Sequence, residues 1–81
     1  MMARVALLYF ASLRDAAGVD SETVETGAPD LAALYEEVRW RHGFRLPVER
    51  LRVAVDGAFA QWKDAVRDGS EIAFIPPVSG G

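Results

Sequence analysis

The residues best placed to do chemistry stand at the end of the chain, in the segment Ile75-Pro76-Pro77-Val78-Ser79-Gly80-Gly81. Its two prolines predict a stiff, extended exit from a folded domain. From Pro77 to Gly81 such a segment can reach roughly 16 Å, at about 3.3 Å per residue. Gly80 and Gly81 have no side chains, so the segment can enter a narrow channel and place its terminal α-carboxylate against another protein's active site. The expected reactive group is therefore a backbone carboxylate and not a side chain.

Composition excludes most side-chain chemistry. The 81 residues include no cysteine and a single histidine, His42. A disulfide scaffold, a cysteine nucleophile and a Cys-based zinc finger are therefore excluded, and a His-rich metal site is not expected. We expect this chain to bind no metal and no cofactor itself.

Charge and hydropathy bear on the partners. The net charge is −3, whereas nucleic-acid-binding domains are usually basic. Arginines recur at positions 39, 41, 45, 50 and 52, and a helix C-terminus explains some of them more simply. No apolar run approaches the roughly 20 residues of a membrane span. We therefore expect no nucleic-acid partner, no membrane partner and a cytoplasmic location.

The elements that must position the tail follow from hydrophobic periodicity. Residues 5–10 form a continuous apolar run, typical of a buried strand. Ser12 is a candidate N-cap for a short helix over 13–17, which Gly18 would close. Residues 21–26 are polar and β-branched, as in an edge strand.

The clearest helix signal covers residues 30–42. Asp30 is the candidate N-cap and Gly43 the candidate residue after the C-terminus. The apolar positions of this helix form one stripe at helical spacing, made of Leu31, Leu34, Tyr35 and Val38. Trp40 and Trp62 are interpreted as packing residues and not as binding platforms.

Three further strands are predicted in the C-terminal half, over residues 51–55, 58–62 and 71–75. Asp56-Gly57 is a strong hairpin turn between the first two. Pro76-Pro77 ends the last strand because proline cannot continue a ladder. A hairpin, one crossing helix and further strands indicate an α+β fold of the ubiquitin-like β-grasp type. This predicts a mixed sheet of about five strands, one main helix across one face, and a short extra helix after the first strand. The domain is expected over residues 1–76, with an extended tail at 77–81.

One face of this sheet has no second helix to cover it. Alternation places Phe74 and Ile75 on opposite faces, so a patch containing Phe10, Phe59 and Ile75 is expected to be exposed as a partner interface. The alternative is ordinary packing, with Phe10 under the short helix or Phe59 under a loop.

Three segments of the chain resemble the small subunit of molybdopterin synthase, the MoaD family. The segment Phe10-Ala11-Ser12-Leu13-Arg14-Asp15, with Gly18, is similar to that family's "FAxLRE…G". Val53-Ala54-Val55-Asp56 is similar to its "VAVN" hairpin. The ending from Asp68 to Gly81 is similar to "DGDEVAxxPPVSGG". Asp15, Asp56 and Ser70 depart conservatively from the pattern, and none of them lies in the tail.

The resemblance implies a sulfur carrier in molybdenum cofactor biosynthesis. A ubiquitin-activating-type adenylyltransferase would use ATP to adenylate Gly81. Sulfur from a donor such as a cysteine desulfurase or rhodanese would then give a Gly81 thiocarboxylate. The tail, comprising Pro76, Pro77, Val78, Ser79, Gly80 and Gly81, would insert into the large synthase subunit and donate sulfur to cyclic pyranopterin monophosphate. The implied assembly is a heterotetramer of two small and two large subunits.

Other functions stay open at this point. The chain could carry sulfur for thiamine, cysteine or tRNA thiolation, or act as a ubiquitin-like modifier that conjugates through Gly81. A plain interaction module with an inert, frayed end is a further alternative.

Overall fold

A computed structural model of the chain describes residues 2–77. In chain order the elements are β1 (Ala3–Tyr9), α1 (Ala11–Ala17), β2 (Ser21–Thr26), α2 (Leu31–His42), a 3₁₀ turn (Val48–Arg50), β3 (Arg52–Val55), β4 (Ala58–Ala60) and β5 (Glu71–Ile75).

The five strands form one mixed sheet in the order β2-β1-β5-β3-β4. β1 and β5 run parallel at its centre, with Leu7 opposite Ile72. The remaining neighbours are antiparallel. This topology, with β2 at one edge and one long helix, confirms the predicted β-grasp arrangement.

The core lies between one face of the sheet and α2. Alternate residues of the two central strands point toward the helix and are almost completely buried, among them Leu7, Ile72 and Phe74. The predicted helix stripe meets them, and all four of its members are buried: Leu31, Leu34, Tyr35 and Val38. Each such side chain contributes roughly 1.5–3 kcal/mol when it leaves water. The apolar stripe therefore fixes which face of the helix meets the sheet.

Both predicted ends of α2 are confirmed. The Ala33 N–H donates to the Asp30 carboxylate at 2.8 Å, which satisfies one of the unpaired amides at the helix start. At the other end Gly43 adopts a left-handed φ of 71°. Its N–H donates to the Arg39 carbonyl at 2.8 Å, as in a glycine-terminated helix.

The predicted start of α1 is wrong. The helix begins at Ala11, Phe10 precedes it with no side-chain cap, and Ser12 lies inside the first turn. The chain turns directly from β1 into this helix through Ala11, whose φ is 50°. The Phe10 carbonyl accepts from the Leu13 N–H at 3.0 Å and from the Arg14 N–H at 3.4 Å, so a backbone carbonyl and not the Ser12 hydroxyl takes up the first amides of the helix. The predicted closure at Gly18 is confirmed, with a φ of 79°.

Three strands differ in their bounds from the prediction. β3 begins at Arg52 and not at residue 51, because the Leu51 N–H donates to the Val48 carbonyl at the end of the 3₁₀ turn. β1 begins at Ala3, two residues early, because its pairing with β2 continues to Thr26. β4 stops at Ala60. Beyond it the Gln61 N–H donates to the Asp64 carboxylate at 2.9 Å, and that turn ends the ladder. The hairpin before β4 is confirmed, since Asp56 and Gly57 both have positive φ.

The Asp30 cap can be tested by its removal. Asp30→Ala should lower the free energy of unfolding by about 1 kcal/mol and the Tm by about 5 °C, measured by urea and thermal denaturation. The matched control is Ser12→Ala, which should change the free energy of unfolding by less than about 0.5 kcal/mol because Ser12 caps nothing. Equal losses in the two variants would contradict the assignment of the caps.

Candidate functional site

The face of the sheet opposite α2 carries an apolar patch. Strand register aligns Leu8 with Ala73, Ala73 with Ala54, and Ala54 with Phe59, in one row across β1, β5, β3 and β4. These residues, with Phe10 and Ile75, line a shallow groove of about 290 Å³, which Gly57 and Glu71 complete. We call Leu8, Phe10, Ala54, Phe59, Ala73 and Ile75 the outer-face patch.

The three residues predicted as an interface are brought together in this patch. Phe59 is 69% exposed and Phe10 is 45% exposed, so neither is packed away as the alternative required. Ile75 is half-buried beside them. Exposed phenylalanines on an apolar surface are typical of protein-binding sites. Their role as a partner interface stays a prediction.

The tail leaves the domain beside this patch. Pro76 is buried and Pro77 is exposed, so the chain emerges at Pro77. Pro76, expected among the inserting residues, lies within the body of the domain. A second groove, of about 370 Å³, surrounds the exit and is lined by Glu49, Arg50, Leu51, Arg52, Phe59, Ile75, Pro76 and Pro77. The predicted tail residues Val78, Ser79, Gly80 and Gly81 lie outside the described residues.

β5 holds the start of the tail in place. This strand pairs with β1 on one side and β3 on the other. At its beginning the Glu71 N–H donates to the Asp56 carboxylate at 2.9 Å, and the Asp56 N–H donates to the Glu71 carbonyl at 2.8 Å. Because β5 is hydrogen-bonded to a strand on each side, it fixes the position at which the following segment begins.

A titratable cluster lies at the edge of the core, away from the tail exit. The Glu22 carboxylate accepts a hydrogen bond from the Tyr9 hydroxyl and lies 2.5 Å from His42 Nε2. Burial alone would raise the pKa of Glu22, but the hydrogen bonds from Tyr9 and His42, with the nearby Arg41, lower it on balance. Burial, and then the bond to Glu22, raises the pKa of the Tyr9 hydroxyl.

This cluster ties β2 to the end of α2. It contains no nucleophile, and within residues 2–77 no group of three or more His, Cys, Asp or Glu side chains is placed to hold a metal ion. The helix pattern over residues 30–42 places His42 at a helix end and gives no sign of its bond to Glu22. A signal was present: Glu22 lies on the same strand face as the buried Val24 and Thr26, and a carboxylate facing a core needs a partner.

The two tryptophans behave differently. Trp62 stacks on Phe74 with ring centroids 6.1 Å apart, which confirms its packing role. The same prediction is wrong for Trp40, which is 91% exposed. Position 40 falls off the Leu31–Val38 stripe, so its side chain points away from the sheet.

Arg14 is exposed and lies 3.9 Å from both Asp15 and Asp20.

Comparison with known families gives a match over almost the whole chain. The model of the ThiS family matches residues 7–81.

In residues 2–77, no helix has the length and apolar character needed to cross a membrane.

Curated relatives match at nearly full length. The chain is 32% identical over 82 residues to the molybdopterin synthase sulfur carrier subunit of Escherichia coli K12, covering 95% of this chain and 99% of that protein. It is 36% identical over 89 residues to the protein of the same name from Chlamydomonas reinhardtii, covering 96% and 99%.

Solved structures share the fold. Molybdopterin converting factor subunit 1 of Pyrococcus furiosus superposes with a TM-score of 0.78 and 30% identity, covering 94% of this chain and 99% of that one. A complex of subunits 1 and 2 of molybdopterin-converting factor from Helicobacter pylori matches over 100% of both chains, with a TM-score of 0.63 and 23% identity. A ubiquitin from Caldiarchaeum subterraneum matches over 100% of both chains, with a TM-score of 0.66 and 18% identity. The last two show the ubiquitin-like fold alone.

The Glu22 cluster predicts a pH-dependent stability. Because the pKa of Glu22 in the folded protein is below its ordinary value of 4.5, its contribution is complete above that pH and is lost as the pH falls through the lowered pKa. Glu22→Gln should therefore lower the free energy of unfolding at pH 6 and flatten its decline below pH 4.5, followed by urea denaturation. Glu25→Gln, at an exposed position of the same strand, is the control. If Glu22→Gln kept the wild-type slope, the cluster would not be the source of the acid sensitivity.

Proposed function

Because this chain belongs to the ThiS family, we propose that it works as the sulfur-carrier subunit of molybdopterin synthase in molybdenum cofactor biosynthesis. One observation supports the proposal above the others: Phe59 and Ile75 line both the outer-face patch and the tail-exit groove. A protein docked on the patch therefore also covers the point at which the tail emerges. The relatives named as sulfur carrier subunits match this chain from end to end.

In the proposed reaction the Gly81 carboxylate is the reacting group. It attacks the α-phosphate of ATP on a ubiquitin-activating-type adenylyltransferase, which forms a glycyl adenylate and releases pyrophosphate. The terminal sulfur of a persulfide on a donor such as a cysteine desulfurase or rhodanese then displaces AMP and forms an acyl disulfide. A second thiol of the partner proteins reduces this bond, is itself oxidised to a disulfide, and leaves the Gly81 thiocarboxylate. A carboxylate needs this activation because its oxygen is a poor leaving group, whereas AMP leaves readily.

The second half of the proposal concerns sulfur delivery. The tail from Pro77 to Gly81 enters the large subunit, where the thiocarboxylate sulfur is transferred to cyclic pyranopterin monophosphate. Two transfers build the dithiolene of molybdopterin. The relatives named as sulfur carrier subunits of molybdopterin synthase support a large-subunit partner here, and the proposed assembly is a heterotetramer in the cytoplasm.

The residues around the tail exit bear on which protein supplies the catalytic groups. Within residues 2–77 the groove around Pro77 is lined by apolar side chains, two arginines and one glutamate, with no histidine or tyrosine among them. Glu49 is the one side chain of this lining that could act as a general acid or base, and we assign the nucleotide site and the remaining acid–base groups to the partners. In this proposal the domain supplies the outer-face patch, which binds the partner, and β5, which positions the start of the tail.

The proposed chemistry predicts a change in mass. Incubation of the full chain with a matching activating enzyme, ATP and a sulfur source should add about 16 Da, the difference between a carboxylate and a thiocarboxylate. Intact-mass spectrometry measures it. Deletion of Gly81 should abolish sulfur transfer and leave the Tm nearly unchanged, because the buried core is made of residues between Val5 and Phe74. No mass gain in the intact chain would contradict the carrier function.

The outer-face patch predicts a docking defect. Phe59→Asp should weaken binding to the large subunit at least 10-fold, because a buried aromatic anchor at an interface is typically worth 2 kcal/mol or more, measured by isothermal titration calorimetry. Trp40→Asp removes a still more exposed aromatic from α2 and should leave the affinity unchanged. Both variants should keep the wild-type Tm within about 3 °C. A loss of affinity in Trp40→Asp alone would place the interface on the helix instead.

A further inference from the structure

Two exposed arginines stand beside the tail exit. Arg50 ends the 3₁₀ turn and Arg52 begins β3, and both line the exit groove together with Pro77. The guanidinium carbon of Arg52 lies 5.7 Å from the centroid of the Phe59 ring. Arg52 is also the register partner of Ile75. The arginine pair therefore directly adjoins the outer-face patch.

Arg50 and Arg52 form no ion pair among residues 2–77. Within the described residues the ion pairs involve Arg14, Arg39 and His42, and neither Arg50 nor Arg52 has a carboxylate within 4.0 Å. Glu49 also lines the groove, which leaves two arginines against one glutamate. The chain as a whole carries a net charge of −3, so this groove has the opposite sign to the rest of the molecule.

The outer face has opposite charges at its two ends. Glu71 lines the patch at the far end of β5 from the exit, and Asp56 lies beside it, bonded to the Glu71 amide. Along β5 the surface thus changes from acidic, through the apolar patch, to basic at Pro77. A partner with the complementary charges would meet like charges at both ends if it docked in the reversed orientation. The charge gradient therefore selects one orientation of the partner.

We infer that Arg50 and Arg52 bind a carboxylate side chain of the large subunit at the mouth of the channel that receives the tail. The inference rests on the proposed function. A protein that holds the Gly81 carboxylate must approach within roughly 16 Å of Pro77, and Pro77 itself lines this groove. A guanidinium held against an aromatic ring is suited to a bidentate pair with a carboxylate, because its planar fork is already partly fixed.

The test compares charge variants in binding to the large subunit. Arg52→Glu should weaken binding roughly 10-fold at about 0.1 M salt and reduce the dependence of affinity on salt, as loss of a rim charge pair does. Arg52→Lys should lose less affinity than Arg52→Glu, because lysine keeps the positive charge and lacks only the planar guanidinium group. Arg45→Glu makes the same change in net charge at a residue that lines neither groove. It should keep wild-type affinity. Thermal denaturation checks that each variant is folded.

The outcomes separate this inference from the proposed function. Unchanged affinity in Arg52→Glu, with Phe59→Asp still defective, would overturn the inference and leave the carrier function standing. No binding by the wild-type chain would count against the proposed function itself. A dimer of the free chain that Arg52→Glu abolishes would also overturn the inference, because the groove would then receive a second copy. Restoration of binding to Arg52→Glu by an acid-to-arginine change at the channel mouth would identify the paired residue.

Discussion

A single long helix can cover only one face of a five-stranded sheet, and the rest of this structure depends on that constraint. α2 packs on the face that carries Leu7, Ile72 and Phe74, which are fully buried. The other face has no such cover, so its alternate residues must tolerate water or bind something. They are small residues such as Ala54 and Ala73 and exposed aromatics such as Phe59. An uncovered apolar surface is therefore a consequence of one helix packed on one sheet.

The same architecture determines where the reactive end can be. β5 is held by ladder bonds on both sides, and Pro76 directly after it is still buried, so the chain emerges at Pro77. The domain thus ends at a point fixed by the core and adjacent to the uncovered face. In the proposed function that arrangement lets one partner bind the patch and the tail at once. With no cysteine in the chain, sulfur carried by this protein would be attached at Gly81.

Local signals in the sequence predicted most of the fold. Asp30, Gly43 and Asp56-Gly57 each specify a cap or a turn through their own backbone preferences. Alternation along β5 correctly predicted that Phe74 is buried and that Ile75 lies on the opposite face, where it is half-buried. Ser12 failed because a backbone carbonyl already served the amide that it was expected to cap. The Tyr9–Glu22–His42 cluster joins three elements distant in sequence, and no local pattern contains it. The contact between Arg52 and Phe59 likewise exists only once β3 and β4 are paired.

The central claim is that this domain meets its partner through the outer-face patch and not through the helix. Hydroxyl-radical footprinting of the complex with the large subunit tests it directly, because the reagent reports the solvent exposure of individual aromatic side chains by mass spectrometry. The account predicts that complex formation protects Phe59 and Phe10 and leaves Trp40 as reactive as in the free chain. Protection of Trp40 with Phe59 still fully reactive would contradict it.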